Sequence, residues 1–310
     1  MFINEGVINF DESNYPEMLR HIYNPPKALY FKGNTSILNQ PAISIVGTRK
    51  ASEYGFAVTE KIISDFKAFN FVIVSGLAHG IDTFSHQLAL DYGLPTIAVL
   101  GTGIDNIYPP QNKTLAQQIL QRDGLIISEY PEESEGKPYQ FPQRNRIISG
   151  LSLASIIIEA AEQSGALITA KYALEQGREI FTVPGDIFRT NSQGPLRLLQ
   201  HSGAYPISSG TEIVDILKRQ PQLFMYNQTK KREKVPVKED LSLQKSKIKA
   251  EGLSQYEIQV LSCLNRTRGK SLHQISTKIK IPIQDLLVAL THLEIKKLAY
   301  QRSDVYFSTF

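Results

Sequence analysis

The chain has 310 residues, of which 42% are hydrophobic, so one large domain or two modest domains can bury a sizeable core. No apolar run approaches the length of a membrane span, and the first residues lack the basic stretch of a signal peptide. The lone Cys263 excludes an intrachain disulfide and a cysteine-based metal site. A cytoplasmic protein with no membrane partner is therefore expected. The net charge is +4, but residues 1–215 hold 16 Lys and Arg against 22 Asp and Glu, and global charge therefore gives no support for nucleic-acid binding by this part.

Residues 1–40 are expected to form a compact lead-in that packs on the following domain. The paired prolines Pro25 and Pro26, and then Gly33, interrupt any long regular element in this segment. The lead-in is therefore interpreted as an extension of the domain that begins at residue 41.

The segment at residues 41–215 alternates apolar runs with stretches of helical spacing. Six runs are typical of buried strands, namely AISIVG, FVIVSG, TIAVLG, LIISE, LASIIIEA and EIFTVPG, and helices are predicted at Tyr54–Ala68, Asp82–Tyr92 and Asn112–Arg122. Because strands alternate with helices and are apolar throughout, the sequence predicts a doubly wound, Rossmann-like parallel α/β sheet. A ligand of such a sheet binds beyond the carboxyl ends of its strands.

The predicted carboxyl ends of the strands are rich in small residues, which let a ligand approach the backbone. The first strand ends in Gly47-Thr48-Arg49, and Arg49 is the long cation among these ends. A loop that contains Arg144-Asn145-Arg146 is predicted before the fifth strand. After that strand, Ser164 is expected to cap a helix whose entry requires the tight turn that Gly165 permits.

Two arginines aimed at a helix N-terminus favour a phosphate ligand, because the terminus carries partial positive charge and free N–H groups. The alternative is that Arg144 and Arg146 pair with surface carboxylates, and that Ser164 and Gly165 only shape a turn. For an isolated pair of arginines, this alternative would be the preferred interpretation.

Signals for other chemistry are absent or weak in the sequence. Gly101-Thr102-Gly103 lacks the third glycine of a dinucleotide fingerprint, and no GxxxxGKS or GxxxxGKT phosphate loop occurs. His79, Asp82 and His86 could line one helical face like metal ligands, but we expect Asp82 to cap the helix start and His86 to pack inward or to bond a neighbour. Neither a metal nor a cofactor is therefore expected.

Residues 216–250 are predicted to be a flexible basic linker. They hold ten Lys and Arg against three Asp and Glu, with prolines and little apolar periodicity. Such a linker either only keeps the chain solvated or adds non-specific affinity beside a DNA site.

Residues 251–310 are predicted to be a small winged-helix domain. Helical spacing covers Leu253–Leu264, with Cys263 on its apolar face, followed by Ser271–Lys278 and Ile283–Lys297. Tyr300–Phe310 alternates like a strand pair that turns at Ser303-Asp304. The third helix offers few basic residues for reading a major groove, so protein contact or weak DNA contact is expected.

The motifs before residue 208 resemble those of the DNA-processing protein A family (DprA, also called Smf). The longest are FPQRNRIISGLS and IEAAEQSGALITAKYALEQGREIFTVPG, and IVGTR, SGLAHGIDTFSH, VLGTGIDNIYP, YPEML and PPKALYFKGN also match. The resemblance covers roughly residues 14–207, and residues 251–310 are similar to the C-terminal winged helix of many members. The interval from Gly194 to Gly203 is about a residue longer than usual, so no site residue is carried over from it.

The resemblance implies a single-stranded DNA-binding protein of natural transformation. Family members protect incoming strands, load the RecA recombinase on them, and act as homodimers through the sheet domain. The candidates for phosphate binding are Gly47, Thr48, Arg49, Arg144, Arg146, Ser164, Gly165 and Lys171; Asn145 and Phe141 are candidates for contacts with bases or sugars, and Lys113 and Lys137 for the rim of the site.

The alternative function is a nucleotide- or nucleoside-processing enzyme on a similar sheet, with Glu159 or Glu129 as a carboxylate base at a strand end. Against it, no nucleophile–histidine pair is visible in the sequence, and the loops suit a nucleic-acid backbone better than a buried base. A sequence-specific regulator that used only the winged helix would leave most of the chain without a purpose. We therefore expect a binding protein rather than an enzyme.

Overall fold

A computed structural model describes residues 4–218, 254–264, 270–279, 282–296, 298–302 and 305–308. The chain divides into two compact units, Met1–Asn227 and Gln228–Phe310. The predicted basic linker lies outside the described residues from 219 to 250, and residues 216–218 form the end of a helix. None of the described helices is long and apolar enough to cross a membrane.

Within residues 4–218, the first unit is built on one nine-stranded sheet. Its strands are β1 (Glu5–Asn9), β2 (Ala28–Gly33), β3 (Ala42–Val46), β4 (Val72–Ser75), β5 (Thr96–Leu100), β6 (Leu125–Ser128), β7 (Ala154–Ile157), β8 (Glu179–Thr182) and β9 (Tyr205–Pro206). They lie in the order β1-β2-β6-β5-β4-β3-β7-β8-β9, and neighbours from β6 to β9 in this order run parallel. The predicted strands and the doubly wound α/β class are confirmed.

Helices and strands of this unit share two main apolar cores, one on each face of the sheet. The helices are α1 (Glu17–Arg20), α2 (Glu53–Phe66), α3 (Ile81–Asp91), α4 (Lys113–Gln121), α5 (Gln140–Gly150), α6 (Gly165–Glu175), α7 (Thr190–His201) and α8 (Gly210–Lys218). In β3, Ile43 and Ile45 join one core, whereas Ala42 and Val46 join the other. All four side chains are buried, which explains why the strand reads as a continuous apolar run.

The expected lead-in is part of the sheet. β1 pairs antiparallel with β2, and β2 pairs antiparallel with β6, so these residues extend the sheet as well as packing on it. Leu29 and Phe31 of β2 are buried in alternation with more exposed neighbours, a strand signal that the interpretation as a lead-in missed. In the segment that connects β1 to β2, the buried Tyr15 donates its hydroxyl hydrogen to the backbone oxygen of Pro26 at 2.8 Å.

The predicted loop around Arg144-Asn145-Arg146 is wrong, because these residues lie within α5. The helix buries Ile147 and Ile148 completely against the core that also contains Val46 and Ile157. This helical backbone fixes the directions of the two arginines, since residues two apart on a helix point roughly 200° apart around its axis.

In its described residues, the second unit contains three helices and a three-stranded antiparallel sheet. The helices are Gln255–Cys263, Leu272–Ile279 and Ile283–Ile295, and the strands β10 (Lys270–Ser271), β11 (Ala299–Arg302) and β12 (Val305–Ser308) lie in the order β10-β12-β11. The predicted helices, the strand pair and the buried position of Cys263 are confirmed. The turn at Ser303-Asp304 lies outside the described residues, and the winged-helix assignment stays a prediction.

Candidate functional site

A cavity of about 490 Å³ opens at the carboxyl edge of the sheet. Three elements contribute most of its wall: the loop after β3, the first two turns of α5, and the N-terminus of α6. Its polar, aromatic and glycine lining includes Gly47, Arg49, Asp82, Tyr108, Phe141, Arg144, Asn145, Ser164 and Gly165. The position agrees with the rule that ligands of doubly wound sheets bind beyond the carboxyl ends of the strands.

The loop after β3 presents Arg49 on a fixed backbone. The N–H of Thr48 donates to the backbone oxygen of Glu159 at 2.7 Å, and the oxygen of Thr48 accepts from the N–H of Ile81 at 3.3 Å. Gly47 is packed so closely that an added Cβ would lie 2.6 Å from Cγ1 of Ile81. Arg49 itself is exposed, and within the described part of the chain no hydrogen bond or ion pair engages its guanidinium. The loop therefore offers the cavity an unpaired cation.

Arg144 lies at the cavity but is almost completely buried, with 5% exposure. Its Nη1 donates to the backbone oxygen of Gly76 at 2.8 Å and also to that of Val99, so it joins the ends of β4 and β5. Burial lowers the pKa of Arg144 to about 10, while the nearby Asp82 acts in the opposite direction. Arg144 therefore contributes positive charge from a structural position rather than from a free side chain.

Asp82 is the buried carboxylate of the cavity, and it does not have the capping role that the sequence predicted. Gly80 is the N-cap of α3, whereas Asp82 lies in the first turn and accepts from the N–H of Gly76 at 3.1 Å. Burial raises the pKa of Asp82 to about 6, although the charge of Arg144 opposes this effect. Gly76 has no room for a side chain here, since an added Cβ would lie within 2.8 Å of both Arg144 and Asp82.

Arg146 is not brought to the cavity. Its guanidinium forms a two-point ion pair with Glu129, at 2.8 and 2.7 Å, and its Nε donates to the backbone oxygen of Asn24 at 3.0 Å. Of the three arginines that are candidates for phosphate binding, Arg49 and Arg144 line the cavity. Arg146 points elsewhere, because it lies about half a turn from Arg144 on α5. Arg146 anchors α5 to the segment before β2.

The N-terminus of α6 faces the cavity with the cap that the sequence predicted. The side chain of Ser164 accepts from the N–H of Ala166 at 3.3 Å. The chain turns just before this helix, where the N–H of Ser164 donates to the oxygen of Ala161 at 3.0 Å, but Gly165 does not adopt a positive φ, so the turn does not require a glycine at this position. An added Cβ at Gly165 would meet no described atom within 4 Å, so this glycine leaves open space beside the helix terminus. Asn145 donates its side-chain amide to the oxygen of Gly165 at 3.2 Å and thereby joins α5 to α6.

An aromatic pair forms another part of the cavity wall. The rings of Phe141 and Tyr108 lie 5.2 Å apart, tilted by 50°, and Tyr108 is 49% exposed. Gly101 and Gly136 pack closely on Phe141, since an added Cβ at either would lie within 3.0 Å of its ring. Phe141 was predicted from the sequence, whereas Tyr108 was missed although it lies in the matching motif VLGTGIDNIYP.

The three predicted lysines are exposed, and among the described residues none of them lines this cavity. Lys171 lies on α6 at a separate groove of about 390 Å³ between α6 and α7, and its Nζ is 3.8 Å from Glu175. Lys113 begins α4. Lys137 directly precedes Pro138, which lines the cavity. The expected position of Lys113 and Lys137 at the rim of the site stays a prediction.

The two carboxylates considered as catalytic bases have structural partners. Glu159 accepts from the hydroxyl and the N–H of Ser52, at 2.5 and 2.8 Å, and so holds the start of α2. Glu129 is paired with Arg146. In the described residues neither carboxylate lines the cavity. This arrangement does not favour the alternative function, a nucleotide- or nucleoside-processing enzyme.

The predicted inward packing of His86 is confirmed. It is completely buried, and its Nδ1 lies 2.7 Å from the hydroxyl of Thr96, which itself donates to the oxygen of Ile73. Burial lowers the pKa of His86 to about 3, so the imidazole is neutral near pH 7. Within the described ranges, no three potential metal-ligating side chains lie close enough to hold an ion.

Comparison with known proteins gives a consistent family match. The model of the family described as DNA recombination-mediator protein A matches residues 6–218. The chain is 44% identical to Protein Smf of Synechocystis sp. over 224 residues, which are 71% of this chain and 56% of that protein. It is also 44% identical to DNA processing protein DprA of Streptococcus pneumoniae over 200 residues, which are 64% of this chain and 70% of that protein. The match thus spans little more than half of the Synechocystis relative.

Two solved structures share this fold. DNA processing protein A from Streptococcus pneumoniae superposes with a TM-score of 0.65 at 41% identity, over 68% of this chain and 74% of that chain. DNA processing protein A from Helicobacter pylori, whose structure describes its single-stranded DNA binding mode, gives a TM-score of 0.62 at 30% identity, over 70% of this chain and 96% of that chain.

Proposed function

Because this chain belongs to the DNA recombination-mediator protein A family, we propose that it binds single-stranded DNA by its backbone phosphates at the carboxyl-edge cavity. One observation carries this proposal: a free arginine, an open helix N-terminus and an aromatic pair border the same cavity. Cations that follow the backbone, together with aromatic rings on which bases stack, are the usual means of binding single strands without sequence preference.

In this proposal, a phosphate lies beside Gly165, where the missing side chain leaves room and the helix terminus supplies N–H groups and partial positive charge. Arg49 supplies the mobile cation for the same phosphate or its neighbour, and Arg144 adds fixed positive charge from behind. A base that follows stacks on Phe141 and Tyr108. Asn145 keeps α5 and α6 in register around the bound strand.

The remaining candidates have supporting positions in the proposal. Gly47 and Thr48 hold the Arg49 loop, and Arg146 holds α5 through Glu129. Lys113 and Lys137 meet the strand at the rim. Lys171 takes no part in the cavity itself, because it lies at the groove between α6 and α7.

Homodimerisation through the sheet unit, loading of the RecA recombinase on the bound strand, a role in natural transformation and a cytoplasmic location are further parts of the proposal. The family description names a recombination mediator and so supports the recombinase part, whereas the other parts rest on the resemblance of the sequence motifs alone. The protein is proposed to act by binding, without catalysis. The competing nucleotide-processing enzyme is not favoured, since Glu129 and Glu159 are committed to Arg146 and Ser52.

The test compares labelled single-stranded and duplex oligonucleotides of one sequence by fluorescence anisotropy, using the full chain, and then follows recombinase filament formation on the single strand. We expect the single strand to bind more tightly, because a flexible backbone enters a cavity that a rigid duplex does not. Equal affinity for the two forms would contradict the assignment of the cavity. Filament formation that the protein leaves unchanged would contradict the recombinase-loading part alone.

A further inference from the structure

Phe188, in the loop between β8 and α7, is 90% exposed, and its neighbour Ile187 is 63% exposed. Adjacent large apolar side chains in solvent indicate an interaction site when the backbone that carries them is held in place. Here the N–H of Phe188 donates to the carboxylate of Asp186 at 2.9 Å, and the side chain of Gln193 donates to the oxygen of Ile187 at 2.6 Å. The aromatic ring is therefore presented to solvent on a hydrogen-bonded loop.

This loop lies at the same edge of the sheet as the cavity. β8 is two strands from β3 in the sheet, so the two carboxyl ends are separated by about 10 Å. Asn191, just after the Phe188 loop, donates its side-chain amide to the backbone oxygen of Lys50 at 3.2 Å. The hydroxyl of Tyr54 donates to the oxygen of Pro184 at 2.7 Å. Each of the two loops, residues 183–189 and residues 47–52, is thus hydrogen-bonded to the helix that follows the other loop.

Two basic side chains without described partners lie in the loop that joins the cavity to the side of Phe188. Arg49 and Lys50 are both exposed, and neither side chain has a hydrogen bond or an ion pair among the residues that the structure describes. Arg189, next to Phe188, is 57% exposed and lies 3.6 Å from Asp186, a contact that solvent weakens. Unpaired cations beside an exposed ring favour a polyanion with stacking bases over an apolar protein surface.

We propose that Phe188 is a second stacking platform, on which a base of the single strand packs after the strand leaves the cavity past Arg49 and Lys50. This inference rests on the proposed function, since it extends the same strand by one more contact. It predicts that Phe188 matters only for strands long enough to pass the cavity. Arg189 then meets the phosphate next to the stacked base.

The chain contains no tryptophan, so Phe188→Trp introduces a single fluorescent reporter at the proposed platform. The probes are oligothymidylates of about four and about twenty nucleotides, chosen to fill the cavity alone or to pass beyond it. We expect the longer probe to quench the tryptophan fluorescence and the shorter one to leave it unchanged. Phe69→Trp is the matched control, because Phe69 precedes β4 at the opposite edge of the sheet and is also partly exposed.

A binding measurement with Phe188→Ala completes the test. We expect its affinity for the longer probe to fall about fivefold or more, as for the loss of one stacked base, and its affinity for the shorter probe to stay unchanged. Unquenched Phe188→Trp at saturation with the longer probe would overturn the inference. A lower sedimentation coefficient of Phe188→Ala with unchanged DNA affinity would overturn it too, and would assign the loop to contact between copies. If the wild type bound neither probe, the proposed function itself would fail.

Discussion

Replacing Arg49 by glutamine is expected to weaken single-strand binding at least tenfold without affecting the fold. A hydrogen bond between ionised partners contributes about 1.5–3 kcal/mol, and the exposure of Arg49 favours the lower end of this range. Since about 1.4 kcal/mol corresponds to a tenfold change in affinity, the lower limit already predicts that loss. The fold should not change, because no described residue depends on the guanidinium of Arg49.

The salt dependence of binding gives a second, independent readout. Each phosphate that a cation neutralises on a single strand contributes about 0.7 to the slope of log affinity against log salt concentration. Arg49→Gln should therefore reduce the magnitude of this slope by about 0.7, equally on strands of different sequence, because phosphates carry no sequence information.

Anisotropy titrations across a salt series, together with thermal unfolding of each variant, make the measurement. Lys61→Gln is the control, since Lys61 is exposed on α2 and does not line the cavity. Arg49→Gln binding within about twofold of the wild type, or an unchanged slope in a folded variant, would refute the reasoning.

Three further outcomes are expected. Arg146→Gln should lower the free energy of unfolding by about 3 kcal/mol in urea titrations, because it leaves the carboxylate of Glu129, whose side chain is only 16% exposed, without its cation. Glu129→Gln in the same chain should recover part of this loss, and no recovery would contradict the pairing as the cause. Gly165→Ala should keep most of the DNA affinity in the same anisotropy assay. Gly165→Leu should stay folded but lose about tenfold in DNA affinity, because its side chain fills the open space beside the α6 terminus. Wild-type affinity of the leucine variant would argue against a phosphate at this position. Relative to His86→Asn, the wild type should lose about 2 kcal/mol of stability between about pH 7 and pH 5 in urea titrations, because His86 takes up a proton in the unfolded chain and not in the folded one. The difference between the two profiles is the readout, because Asp82, whose pKa burial raises, stabilises the fold over the same pH range in both proteins; identical profiles would contradict the neutral buried imidazole.

The parallel part of the sheet could be predicted because its strands are buried on both faces. Such strands are apolar at every position, as β3 is from Ala42 to Val46, and this pattern differs clearly from the spacing of the helices between them. β1 and β2 were missed for the opposite reason. They lie at and next to the edge of the sheet, alternate only partly, and are separated by prolines that indicate turns.

The candidate site could be predicted as a set of residues but not as a geometry. The motifs placed Arg49, Phe141, Arg144 and Ser164 at one edge, and the structure brings these residues to one cavity. The separation of Arg144 from Arg146 depends on whether α5 is a helix, and the local sequence FPQRNR, with a proline and polar residues, does not have a clear helical pattern. The helix forms because Ile147 and Ile148 pack into the core, a long-range contact.

The antiparallel pairing of β2 with β6 has a practical consequence for the preparation of fragments. A fragment that started at residue 41 would keep every strand of the parallel sheet, yet it would leave β6 as an edge strand with its outer N–H and C=O groups unpaired. It would also remove the backbone oxygens that accept from Arg146 and Arg178, at Asn24 and Met18. Such an edge recruits other chains, so the shortened protein would aggregate, and its poor behaviour would be mistaken for a loss of DNA binding.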